Sequence, residues 1–181
     1  TVARESEFKG VDIEAATGAL DVFWERNKNT IANNLMVEQR FTVPLGGFNF
    51  KGFIDRVDLI PGTKDEVEII DYKAGKYEPG PVERSRQLLL YARGIEHVNP
   101  KYKVKRLTLE LLNLPNPRTF ELNGGKYECA GSSRMEGLDE EAVEDMIEIA
   151  KNIAHDYEHG FERTKDEKVC GDCGYRLYCG D

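Results

Sequence analysis

Residues 37–72 hold three strand-length runs separated by two tight turns, and nothing else in the chain limits its fold more. The first run, 37–43, ends at Pro44, and Gly46-Gly47 supplies a reversal into the second, 48–60. Paired glycines admit the positive φ angles that a two-residue hairpin turn needs. Pro61-Gly62 with Lys64-Asp65 makes the next turn, into the short apolar run EVEIIDY over 66–72. Three such runs joined this closely fold as an antiparallel meander.

The period then changes. Residues 75–81 are a loop and 82–97 a helix, whose Leu88, Leu89 and Leu90 are too dense for an exposed surface and belong to the core. Residues 104–112 set Val104, Arg106, Thr108 and Glu110 against Leu107, Leu109 and Leu111, a half-buried strand that 120–122 extends or pairs with. Ahead of the meander, residues 12–33 place Ile13, Ala16, Leu20, Phe23, Trp24 and Ile31 on roughly one helical face, with Trp24 in the core. The last helix is the best marked. Asp139 caps it, Glu140 and Glu141 suit its positive end, and Gly160 closes it. Its inner stripe is Val143, Met146, Ile147, Ala150, Ile153, Ala154 and Tyr157. The order α-β-β-β-α-β-(β)-α-tail makes an α/β domain, a mixed sheet flanked by helices.

At 181 residues the chain is one domain with a real core. No run approaches the ~18 apolar residues of a membrane span, and the first residues lack a signal-peptide pattern, so a cytoplasmic location is expected. The charged opening without an initiator methionine suits a fragment or a processed piece. Net charge is −8, which argues against a general phosphate-binding surface. It does not exclude a local site in which carboxylates hold a metal ion. Basic residues gather locally at Arg84 and Arg86, and at Lys101, Lys103, Lys105 and Arg106, although the second group reads equally well as a solvated face.

Asp71 and Lys73 lie two apart on the third strand and share a face, with Tyr72 pointing away. Val67 and Ile69 share that face, so carboxylate and ammonium emerge where the apolar surface gives out. Pairing through the turn at 61–65 brings Asp55 of the second strand close to Asp71. Two carboxylates so placed repel, and a divalent cation relieves the repulsion. Mg²⁺ prefers such hard oxygen ligands and keeps waters, one of which can attack a phosphate, with a lysine beside it to orient that water or stabilise charge. On these residues alone, an exposed Asp71 and Lys73 ion pair and a strand-edge pair of Asp55 with Arg56 is the more economical account, because charges are common at strand ends.

The wider pattern tips the balance. Gly52-Phe53-Ile54-Asp55-Arg56, then Ile70-Asp71-Tyr72-Lys73-Ala74-Gly75-Lys76, then Gln87-x-x-x-Tyr91, resembles the RecB-like branch of the PD-(D/E)XK nucleases, which includes nuclease domains of helicase–nucleases and the CRISPR-associated adaptation nucleases. The resemblance spans about residues 36–179 and rests on the ordered set rather than on any one motif. It implies a restriction-endonuclease-like fold and an Mg²⁺- or Mn²⁺-dependent deoxyribonuclease, an exonuclease on single strands or duplex ends, with a helicase partner in cis or in trans. Asp55 and Asp71 would then ligate the metal, the Tyr72 carbonyl could complete its coordination, and Lys73 would serve the attacking water. Gln87 and Tyr91, one helical turn apart, would approach the DNA or brace the site. Glu38 matches a further acidic position, or is an exposed strand residue.

Four cysteines stand at 129, 170, 173 and 179. The Cys-x-x-Cys-x5-Cys spacing of the last three favours metal or cluster ligation in an intracellular protein. The resemblance implies a [4Fe–4S] cluster on Cys170, Cys173 and Cys179 in the intact protein, with Zn²⁺ or unligated thiols as the alternatives. Cys129 reads as a lone reduced thiol in a loop. The family's early histidine and fourth cluster cysteine have no counterpart here, where the first histidine is His97. The expected organisation is a nuclease domain over 1–165 with a Cys-rich tail over 166–181 packed on it. A catalytically idle DNA-binding or scaffolding domain of the same fold, and a zinc-stabilised interaction module, are the rivals.

Overall fold

The structure, a computed structural model, describes residues 13–73, 83–112, 114, 116–129 and 140–160. Helix α1 (Ile13–Asn27) and a 3-10 turn (Ile31–Asn33) lead into strands β1 (Asn34–Leu45), β2 (Phe48–Leu59) and β3 (Glu66–Lys73). Helix α2 (Glu83–Val98), strands β4 (Lys103–Leu111), β5 (Arg118–Asn123) and β6 (Lys126–Cys129), and helix α3 (Glu140–His159) follow. The six strands form one sheet in chain order, antiparallel throughout except for the parallel pair β3–β4. This is the mixed α/β architecture that the sequence implies. Among the described residues, no helix is long and apolar enough to cross a membrane.

The meander closes as expected. Leu45 pairs with Phe48 across Gly46 and Gly47, whose φ angles of 56° and 88° match a type I′ turn. Gly46 also lets α3 approach, since a Cβ there would lie 2.3 Å from Ile147 Cγ2. Alternation along β3 and β4 sends Val67, Ile69, Leu107, Leu109 and Leu111 to one face, where they form a continuous core with Leu88, Leu89, Ala92 and Ile95 of α2. Phe41 of β1 sits within that core, wedged between Gly52 of β2 and Gly94 of α2.

The opposite face is polar and meets α1. Here several expectations fail. Leu20, Trp24 and Ile31 are exposed rather than core. The helix seats itself instead through Phe23, Arg26 and Asn27, because the sheet presents Arg56, Tyr72 and Glu110 to it rather than apolar side chains. β4 is buried on both faces, Thr108 and Glu110 included. On α3, Ala142, Val143 and Met146 are buried, but Ile153 and Tyr157 are exposed. Only the first half of that helix reaches the core. β1 continues through Pro44, which its position at the sheet edge permits, since no inner strand needs the missing N–H. Cys129 ends β6 opposite Phe120 rather than lying in a loop. Loop 75–81, Asp139 and the cysteines at 170, 173 and 179 lie outside the described residues.

Candidate active site

β3 loses one neighbour as it enters the site. Its register with β2 ends at Arg56↔Ile70, while its register with β4 continues through Asp71↔Leu109 and Tyr72↔Glu110 to Lys73↔Leu111. Beyond Arg56 the two strands part, and a side chain spans the split: the Tyr72 N–H donates to Asp55 Oδ2 at 2.9 Å. On its other edge β2 keeps one register with β1 from Met36↔Val57 through Val37↔Arg56 to Gln39↔Ile54, which sets Glu38 beside Asp55. The φ of 51° at Glu38 is unusual for a residue with a side chain. Glu38, Asp55 and Asp71 thus fall in one row across three strands.

Asp71 is 2% exposed. Its Oδ2 is ion-paired with Lys73 Nζ at 2.6 Å. One ammonium offsets only one of the two neighbouring carboxylates, Asp71 and Asp55. Burial pushes the Asp71 carboxyl above its ordinary range, Lys73 pulls it back, and nearby Asp55 adds to the rise. Two carboxylates beside one ammonium leave a negative charge that a further cation would offset.

Helix α2 fixes the lysine. Lys73 Nζ donates to Gln87 Oε1 at 3.2 Å, and Gln87 Nε2 donates to the Tyr91 hydroxyl oxygen at 2.5 Å. Tyr91 is itself seated edge-on against Phe41, with centroids 5.8 Å apart. Its hydroxyl is held above the ordinary phenol value by burial, then by Asp71, with Gln87 opposing and Asp55 and Glu38 adding to the rise. A phenol that senses all three acids keeps its proton beside them.

Asp55, Asp71, Lys73, Gln87 and Tyr91 therefore meet at one place, with exposed Glu38 at its margin. No group of three or more His, Cys, Asp or Glu side chains is gathered to hold a metal ion among the described residues. The donors available are two carboxylates and main-chain oxygens. Hard oxygen donors of this kind fit Mg²⁺ or Mn²⁺, which keep several waters and need few protein ligands.

Behind the site lies a group that the sequence did not reveal. Arg56 pairs with Asp58 rather than with Asp55, through Nε to Oδ1 at 2.7 Å and Nη2 to Oδ2 at 2.5 Å. Its Nη1 donates to Asn27 Oδ1 at 2.6 Å and to the Tyr72 hydroxyl at 3.3 Å. Two-residue spacing of Arg56 and Asp58 on one strand face was the available signal. Of the basic residues near β4, Lys103 pairs with Asp65 at 2.8 Å and Arg106 with Glu68 at 3.1 Å. Arg86 pairs with Asp145 on α3 at 2.5 Å.

The sequence model of the PD-(D/E)XK nuclease superfamily matches residues 3–180. No curated protein matches the chain by sequence. Among solved structures, a "putative exonuclease" from Eubacterium rectale is similar with a TM-score of 0.53 and 14% identity, over 93% of this chain and 61% of its own. The structure of SSO0001 is similar at a TM-score of 0.45 and 18% identity, over 92% of this chain and 69% of its own. At these identities the first likeness speaks for the fold, and this chain spans less than two thirds of that protein's length.

Proposed function

The chain belongs to the PD-(D/E)XK nuclease superfamily, and from that premise we propose that it is a Mg²⁺- or Mn²⁺-dependent deoxyribonuclease with its centre at Asp55, Asp71 and Lys73. The observation that carries the proposal is the pair of carboxylates at Asp55 and Asp71, the latter buried and ion-paired with Lys73, where β2 and β3 part. Asp55 and Asp71 would hold the cation, with the Tyr72 carbonyl as a further oxygen donor and Glu38 within reach of the margin. Once bound, the cation supplies Lewis-acid charge to the phosphodiester and an activated water. Lys73, held by Gln87, presents its ammonium where phosphoryl charge builds up. The finer form of the proposal is an exonuclease on single strands or duplex ends, working with a helicase in cis or in trans. It draws support from the motif order and from the fold shared with the Eubacterium rectale protein.

The test is cleavage of end-labelled single-stranded and duplex DNA. Cleavage with Mg²⁺ or Mn²⁺ that stops on chelation and returns on re-addition is the expected result. A protein that leaves both substrates intact under all metals while binding DNA would instead support the idle scaffold. Within the site, Gln87→Ala should slow cleavage by about tenfold, as loss of positioning does, and less than loss of Asp71. Rates compared at saturating metal decide this, and an equally complete loss would place Gln87 in the chemistry itself.

A further inference from the structure

Tyr72 reaches both faces of the sheet. Its backbone N–H holds the Asp55 carboxylate on the site face, while its hydroxyl accepts from Arg56 on the far face. Its ring also packs edge-on against Phe23 of α1, with centroids 5.6 Å apart. Arg56 belongs to β2 and Tyr72 to β3, so their hydrogen bond crosses the split between those strands just beyond the last ladder pair, Arg56↔Ile70. The same Nη1 also donates to Asn27 at the end of α1, while Nε and Nη2 reach Asp58 on their own strand.

Stability alone is a poor account of this cluster. Arg56, Asp58 and Asn27 are 4%, 5% and 5% exposed. A buried ion pair repays its desolvation only with excellent geometry, and apolar side chains of similar volume often serve stability as well or better. Burial works against the Arg56 charge, yet Asp58 and Tyr72 hold it firmly in place. What apolar residues could not supply is a directional tie across two diverging strands.

Resting on the metal-centre reading above, we propose that Arg56 is a positioning residue, which sets the spacing of Asp55 and Asp71 from the far face by clamping Tyr72 to β2 and α1. The chain of contacts is Asn27 to Arg56, Arg56 to the Tyr72 hydroxyl, and the Tyr72 amide to Asp55. Slackening it frees Tyr72 to drift, and Asp55 loses its fixed donor. The effect falls on how well a cation is gripped rather than on the chemistry once it is held.

The decisive variant is Tyr72→Phe, which keeps the ring against Phe23 and the amide to Asp55 and removes only the hydroxyl. Arg56→Lys is the second, since lysine cannot bond Asp58 in two places. Mn²⁺ titrated calorimetrically into the full chain should bind about tenfold more weakly to both variants, as when partners that orient metal ligands are removed. Cleavage at saturating Mn²⁺ should be largely restored, and Tyr72→Phe should melt close to the wild type. Unchanged Mn²⁺ affinity in folded Tyr72→Phe overturns the clamp, whatever Arg56→Lys does to folding. Wild-type protein that takes up no Mn²⁺, or Asp71→Asn that binds it as well as wild type, overturns the metal centre and the clamp with it.

Discussion

Asp71→Asn is expected to abolish metal-dependent cleavage while making the metal-free domain more stable at neutral pH. The carboxylate is buried and lies near Asp55, with Lys73 offsetting only part of the cost of its charge. Losing it removes a proposed ligand, and the rate should fall by about a hundredfold or more, roughly 3 kcal/mol of transition-state stabilisation. Lys73→Ala should fall by a similar factor, because the ammonium beside Asp71 goes with it. The stability effect follows from the direction of the Asp71 shift. A carboxyl raised in the folded state favours folding while protonated, and that contribution is lost as pH climbs through its elevated range. The asparagine has no such loss. Thermal melts in chelator between about pH 4 and about pH 8 should therefore show the variant's advantage growing with pH. Mg²⁺ should stabilise the wild type and not the variant. Full cleavage by Asp71→Asn, or a variant less stable than wild type at neutral pH, would remove Asp71 from the role given it.

The second large effect lies in the core. Phe41 is 1% exposed, its ring touching the space over Gly52 and Gly94, with Tyr91 edge-on beside it. Phe41→Ala should cost about 3–5 kcal/mol, a large share of the stability of a domain this size. The melting temperature should drop by about 10 °C. Filling the same space from the other side should also hurt, since a Cβ on Gly94 would lie 2.6 Å from the Phe41 ring. Differential scanning calorimetry of both variants checks this. A Phe41→Ala protein melting with the wild type would show that β1 is not anchored through that ring.

Much of this could be read from the chain because the signals are local. Glycine pairs marked the first turn, two-residue spacing put Asp71 and Lys73 on one face, and four-residue spacing put Gln87 over Tyr91. The same logic at Asn123-Gly124-Gly125 would have found the β5–β6 hairpin, whose glycines have φ angles of 56° and 92°. What stayed hidden depends on partners far along the chain. Trp24 reads as core from its period alone, because nothing within α1 tells that the sheet turns a polar face to it. The burial of Glu110 depends in the same way on Arg26, which reaches it from α1. The parting of β2 and β3 leaves no mark in composition, since it is set by where one ladder stops and another continues.

The single parallel pairing in the sheet has a consequence for the order in which the domain assembles. Antiparallel neighbours joined by tight turns can zip from their ends, whereas β3 and β4 meet only after the whole crossover carrying α2 has closed. Asp55 and Asp71 thus lie on a local meander, whereas Gln87 and Tyr91 lie on the crossover helix. The amide and phenol that steady Lys73 come from the crossover and not from the meander. A complete site therefore needs both units in place.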